Sequence, residues 1–240
     1  AAEPVRVRIL SYNIHHGEGL DGRLDLNRIA GIIRAAEADI VALQEVDCNT
    51  DRSGRVDQSA ELGRLTGMQP VFGPNIPHGG GEYGNAVLSK WPIKRHTNHR
   101  LPLLGPGERR GLLEVELDVG RPLVLFATHL DHRPDDRERL VSAEVINRRV
   151  AESQRSPVIL AGDLNDVPDS ATLRILRDKW DLASERPLPT SPSLQPKRQI
   201  DHLLLRPQQG WKVIDIRVLD ESIASDHRPL LATLELPTIP

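Results

Sequence analysis

The sequence predicts an α/β protein in which two β-sheets pack face to face with helices on their outer sides. Two observations carry this. Apolar runs of strand length alternate with helix-periodic segments near the N-terminus, and about a dozen strand-like runs outnumber the helices. Polar residues also gather where the strands finish, where open α/β sheets place their active groups.

Taken in order, residues 5–10 (VRVRIL) read as a strand running into Ser11-Tyr12-Asn13, followed by a polar, Gly-rich loop to Gly22. Residues 24–36 place Leu26, Ile29, Ile32 and Ile33 at helical spacing, with Asp25 as N-cap. Residues 39–43 form a short apolar strand ending in Gln44-Glu45, and 57–66 a second helix stopped at Gly67. The Gly/Pro/His stretch 74–84 reads as an exposed, mobile loop. Strands are expected at 85–89, 93–99, 111–119 and 123–128, then a long amphipathic helix at 135–153. Residues 158–160 (VIL) are a buried strand bounded by Pro157 and the Gly162 turn, and 170–176 a short helix. The Pro/Ser stretch 187–196 reads as a flap within the domain, since strands resume at 200–205, 211–218 and 230–236.

Composition narrows the function classes. The 240 residues are 38% hydrophobic, enough to bury a sizeable core. Lys and Arg number 31 against 34 Asp and Glu, and a net charge of -3 argues against a tight non-specific nucleic-acid binder. Three Trp, two Tyr and two Phe leave little for base-stacking platforms or membrane-interface anchors. No apolar run approaches the roughly 20 residues of a spanning helix. Cys48 stands alone, which excludes an intrachain disulfide. The chain opens Ala1-Ala2-Glu3-Pro4, and the expectation is an exported protein, periplasmic or secreted, after signal-peptide removal, and otherwise a cytoplasmic one.

Five strand-like segments share one design: LSYN ends in Asn13, IVALQE in Glu45, LFATHLD carries His129, VILAGDLND carries Asp163 and Asn165, and RQID ends in Asp201. A sixth, SDHRPL, sets Asp226 and His227 just before a strand. Each alone reads as ordinary turn or surface chemistry; six in one chain do not. Carboxylate and amide oxygens suit Mg²⁺ or Mn²⁺ better than Zn²⁺, and no Cys/His cluster with zinc spacing is present.

The set GDLND, SDHRPL, LQE and THLD resembles the endonuclease/exonuclease/phosphatase superfamily, from Val7 to about Leu236 and in family order. The resemblance implies a four-layer α/β sandwich (DNase-I-like) of two packed mixed β-sheets flanked by helices, with residues 1–240 as a single catalytic domain. It implies hydrolysis of a phosphoester by an activated water with Mg²⁺ or Mn²⁺ as cofactor and no covalent intermediate. By position, Glu45 is the principal metal ligand with Asn13 close by, and Asp226 completes the metal shell. Asp163 orients or deprotonates the water, Asn165 holds a phosphoryl oxygen, and His129 stabilises transition-state charge. His227 acts as second catalytic histidine, paired with Asp201; which of Asp163 and His227 is the base stays open. Arg109 and Arg110 lie where many relatives carry a substrate-facing Arg. His15, His16, His132 and His202 are expected to support the site or lie on the surface, and Tyr83-Gly84-Asn85 to form a turn or else line the cleft.

The opening NIHHGEGLDGRLDL and YGNAVLS look most like the superfamily's bacterial metal-dependent hydrolase branch. The chain is compact, mildly acidic and aromatic-poor, which favours a small or lipid-headgroup phosphodiester, with nuclease or phosphomonoesterase action as alternatives and a non-catalytic binding module as a further one. A monomer is expected. The dinuclear metallophosphoesterases also use a GD motif, but their GNH[ED] block is absent.

Overall fold

The computed structural model describes residues 4–152 and 157–237. Its order is β1 (Arg6–Asn13), α1 (Leu26–Ala35), β2 (Ile40–Cys48), α2 (Gln58–Thr66), β3 (Gln69–His78), β4 (Gly81–Ser89), β5 (Ile93–Arg100), β6 (Gly111–Asp118), β7 (Pro122–His129), α3 (Arg137–Glu152), β8 (Val158–Asp163), α4 (Ala171–Arg177), β9 (Asp181–Leu182), β10 (Asp201–Arg206), β11 (Lys212–Val218) and β12 (Leu230–Glu235). Six strands form each sheet, in the orders β11-β12-β1-β2-β4-β3 and β5-β6-β7-β8-β10-β9.

Each sheet is built around one parallel pair joined through a helix: β1 with β2 through α1, and β7 with β8 through α3. Every other pairing is antiparallel. Side-chain alternation sorts the core into layers. Val7, Ile9, Ile40 and Ala42 meet Val115, Leu125, Ile159 and Ala161 between the sheets. Leu10, Tyr12, Val41 and Leu43 face Ile29 and Ile33 of α1 and Leu62 of α2. Phe126, Val158 and Leu160 face Ala143, Ile146 and Val150 of α3. Burying each large aliphatic side chain this way contributes about 1.5–3 kcal/mol. The result is four layers, helix–sheet–sheet–helix.

The caps are those the sequence prescribes. Asp25, Asp57 and Ser170 accept from the third backbone N–H downstream, and Gly67 closes α2 at φ 72°. Two segments differ from expectation. Residues 74–84 are not a loop: they belong to the β3–β4 hairpin, which turns at 79–80. Pro70, Pro74 and Pro77 are accommodated because β3 is an edge strand, where missing N–H donors leave no neighbour unsatisfied. Residues 187–196 have no regular secondary structure beyond a bridge from Ser191 to Arg198, yet they are pinned. Ser193 N donates to Asp226 O at 2.8 Å, and Arg228 N to Thr190 O at 2.9 Å. The two-residue strand β9 has too little sequence to announce itself, and position 153, the expected end of α3, lies outside the described residues.

Candidate active site

Asn13 ends β1, and the register sets His129, Asp163 and Asp201 side by side on β7, β8 and β10. Gly162 permits that row: a Cβ there would lie 1.9 Å from Thr128 O, so only glycine lets β7 and β8 approach in this way. On β2, the register shifts between Leu43 and Val46, and Glu45 adopts φ 58°, a bulge that turns its side chain into the cleft.

Asn13 joins the sheets. Its Nδ2 donates to Glu45 Oε1 at 3.0 Å and to Asp163 Oδ2 at 3.1 Å, while its Oδ1 accepts from His15 N at 3.1 Å. Asn13 therefore turns its donor, not its oxygen, to the two carboxylates; ligation of a metal by Oδ1 requires the amide to turn over. Asp163 is buried, with Oδ1 accepting from Asn165 N at 2.9 Å. Its Oδ2 faces His129 Nε2 at 3.5 Å and His227 Nε2 at 3.6 Å. Asn165, at φ 51°, ties Nδ2 to Leu130 O at 3.0 Å and borders the cleft.

Two outer contacts fix the histidines. Asp201 Oδ2 accepts from His227 Nδ1 at 2.8 Å and from Thr190 Oγ1 at 2.5 Å, so the pinned 187–196 stretch reaches the site through Thr190. Asp226 lines the cleft beside His227, and Ser225 Oγ donates to Asn13 O at 2.7 Å. Arg110, 3% exposed, donates from Nη1 to His129 Nδ1 at 3.3 Å and from Nη2 to His132 Nδ1 at 3.0 Å. A guanidinium only donates, so both Nδ1 atoms accept and both rings carry their proton on Nε2. Arg109 turns away, donating to Leu101 O at 3.4 Å, and does not line the cleft.

Electrostatics follow from burial. Desolvation and the neighbouring Asp201 charge push the Asp163 carboxyl well above the ordinary carboxylate range. Burial opposes protonation of His227, but the adjoining Asp201 and Asp163 carboxylates overcome it and raise its pKa. His129 is held neutral by burial, then by Arg110 and His227. The site thus pairs a carboxyl drawn toward neutrality with one charged and one neutral imidazole.

The cleft has a volume of about 380 Å³. Its walls include residues with no strand-end signature: His15, His16, Arg52, His78, Tyr83, Glu108 and His132. Tyr83 lines it rather than merely forming a turn, whereas His202 lies behind it, buried, its Nε2 against Asp166 O at 2.8 Å. The absence of zinc-like spacing in the sequence did not prevent an imidazole cluster. His15, His16 and Glu45 bring ligand atoms within 4.8 Å of one another. The signal was the adjacent pair itself, His15-His16 before Gly17, whose left-handed backbone the sequence does not display. A carboxylate with convergent imidazole nitrogens is a donor set that fits a divalent cation.

Two packed sheets with carboxylate, amide and imidazole groups at one end define a hydrolase of the DNase-I-like class. The chain belongs to the endonuclease/exonuclease/phosphatase family, whose sequence profile matches residues 10–227; its members are metal-dependent phosphoester hydrolases. It is 27% identical over 247 residues to the Escherichia coli (strain K12) protein YbhP, covering 95% of this chain and 96% of that one. The structure of an endonuclease/exonuclease/phosphatase from Beutenbergia cavernae superposes with a TM-score of 0.80 at 28% identity, over 97% of this chain and 72% of that one. The Bacteroides thetaiotaomicron mannosyl-6-phosphatase Bt3783 shares the fold, with a TM-score of 0.78 at 18% identity over 97% and 100% of the two chains. No helix among the described residues is long and apolar enough to cross a membrane.

Proposed function

We propose that this protein is a divalent-metal-dependent phosphodiesterase acting on small or lipid-derived phosphodiesters by direct attack of an activated water. The observation that supports this most is the convergence on Asp163 Oδ2 of Asn13 from the opposite sheet and of Nε2 from both His129 and His227. Asp163 Oδ2 accepts the proton of the attacking water, its raised pKa matching that task near neutrality. His227, charged and braced by Asp201, offers Nε2–H to a phosphoryl oxygen from one side. His129, neutral and with Nε2–H fixed by Arg110, donates from the other. The side chain of Asn165 orients the phosphoryl group, and Arg110 acts through the histidines rather than gripping substrate directly. Glu45 and Asp226 would hold the divalent cation, with Asn13 Nδ2 bracing Glu45, and the cation would supply Lewis-acid polarisation of the phosphoryl oxygen. A cleft of about 380 Å³ accommodates one phosphoester and a modest substituent.

The test is hydrolysis of bis-p-nitrophenyl phosphate and p-nitrophenyl phosphate side by side with EDTA, Mg²⁺ or Mn²⁺. Diester preference abolished by EDTA is expected. Monoester preference would replace the reading with a phosphatase, and strong nicking of plasmid DNA at low enzyme concentration would replace it with a nuclease.

A further inference from the structure

We propose that His15 and His16 join Glu45 in an imidazole-containing metal site, and that the site takes a first-row divalent transition ion in preference to Mg²⁺, with Mn²⁺ as the probe. The inference deepens the metal-dependent hydrolase reading and rests on it for the ion's purpose.

Adjacent side chains ordinarily diverge. Here His15 and His16 adopt φ 45° and 43°, and their ring centroids lie 4.5 Å apart. The turn is anchored on several sides. Asn13 Oδ1 accepts from His15 N at 3.1 Å, Gln58 Nε2 donates to His16 O at 2.6 Å, and Asp25 N donates to Gly17 O at 2.9 Å. Non-glycine residues rarely adopt this backbone region, and Glu45 at φ 58° is a third such residue facing the same spot.

The ring nitrogens are sorted by their partners. His15 Nδ1 sits 3.1 Å from Glu18 O. A carbonyl only accepts, so Nδ1 carries the proton and Nε2 presents its lone pair, the arrangement a metal-binding imidazole requires. His16 is 9% exposed; its Nε2 lies 3.5 Å from the Glu18 carboxylate, and its Nδ1 is buried with no hydrogen-bond partner among the described residues. A buried nitrogen lone pair left unmatched is unfavourable, and a cation at the cluster satisfies it. Arg52, the nearby cation, is neutralised by two contacts to buried Asp47 at 2.8 Å each.

Ligand atoms already within 4.8 Å of one another need only small movements to share an ion, since ligands bound at about 2.1 Å stand no more than about 4.2 Å apart. Two imidazoles and one carboxylate suit divalent transition ions, whose affinity for nitrogen donors rises from Mn²⁺ towards Cu²⁺. Mg²⁺ prefers oxygen donors and holds its waters.

The test is Mn²⁺ titration of the metal-stripped protein followed by electron paramagnetic resonance, with Mg²⁺ as competitor and electron spin-echo envelope modulation of the bound ion. One Mn²⁺ per chain, directly coupled to ¹⁴N and resisting a hundredfold excess of Mg²⁺, is expected. His15→Asn and His16→Asn, which tolerate the left-handed backbone, should each weaken Mn²⁺ binding on the order of tenfold or more. Absence of Mn²⁺ binding or of ¹⁴N coupling in the wild type overturns the proposal without relying on any variant. So does unchanged Mn²⁺ affinity and unchanged preference over Mg²⁺ in both variants. Hydrolysis of bis-p-nitrophenyl phosphate on the same samples separates the two ideas. Turnover without ¹⁴N coupling retains the hydrolase and removes this site, whereas ¹⁴N-bound Mn²⁺ without turnover of any phosphoester retains the site and removes the hydrolase.

Discussion

Replacing Arg110 with methionine removes the cation that sets the proton position on two histidines while keeping most of the side-chain volume. Arg110 is 3% exposed and holds His129 Nδ1 at 3.3 Å and His132 Nδ1 at 3.0 Å. Without it, His129 is free to carry its proton on Nδ1, and a bare Nε2 lone pair then faces Asp163 Oδ2 at 3.5 Å, acceptor against acceptor. A hydrogen bond to a charged group contributes about 1.5–3 kcal/mol, which converts to roughly 10- to 150-fold in rate when the lost bond serves the transition state. Arg110→Met should therefore lower kcat on a diester by about 10- to 100-fold with a smaller change in KM. Arg110→Lys should recover only part of that, because a point charge cannot span both rings. Arg110 also lowers the His129 pKa, second to burial, so the variant's profile of kcat against pH should gain a protonation step on its acid side. The assay is steady-state kinetics across pH, with ¹⁵N chemical shifts reporting the His129 tautomer. A kcat within about twofold of wild type and an unchanged tautomer in Arg110→Met would refute the positioning role.

Thr190→Val removes a 2.5 Å donor from Asp201, whose other oxygen, Oδ1, is already buried without a partner among the described residues; stability should fall by about 1.5–3 kcal/mol and kcat by about tenfold, read by urea unfolding and diester turnover. Gly162→Ala forces β7 away from β8 against Thr128 O and should destabilise by at least about 1–3 kcal/mol, with activity lost alongside, checked by thermal melting. His202 is buried neutral and its pKa is lowered by desolvation, so the unfolded chain takes up its proton first, near the ordinary 6.5. Stability is then complete above that value and declines as pH falls through it toward the lower folded pKa; His202→Gln should flatten the difference between urea midpoints at about pH 7.5 and about pH 5.

The layers were legible because strand alternation and helix periodicity are local. Val7 and Ile9 against Leu10 and Tyr12, or Ile40 and Ala42 against Val41 and Leu43, divide the two faces of a sheet without reference to its partner. The strand-end positions Asn13, Glu45, His129, Asp163 and Asp201 were legible for the same reason, and the fold brings them together. What was hidden depends on tertiary geometry. No local feature tells that Asn13 reaches 150 positions along the chain to Asp163, or that Arg110 is buried between histidines while Arg109 turns outward. The hairpin at 69–89 was obscured because Pro and Gly ordinarily mark loops, and only an edge position tolerates so many in a strand. His15 and His16 converge because of a left-handed backbone that nothing in a His-His pair requires.

The most direct measurement is kcat of Asp163→Asn against wild type on bis-p-nitrophenyl phosphate with saturating divalent metal, folding verified by circular dichroism. The asparagine keeps the shape and removes the proton acceptor. If Asp163 Oδ2 takes the proton of the attacking water, kcat falls on the order of 10²-fold or more. A folded Asp163→Asn protein turning over within about threefold of wild type would contradict the proposed mechanism at its centre.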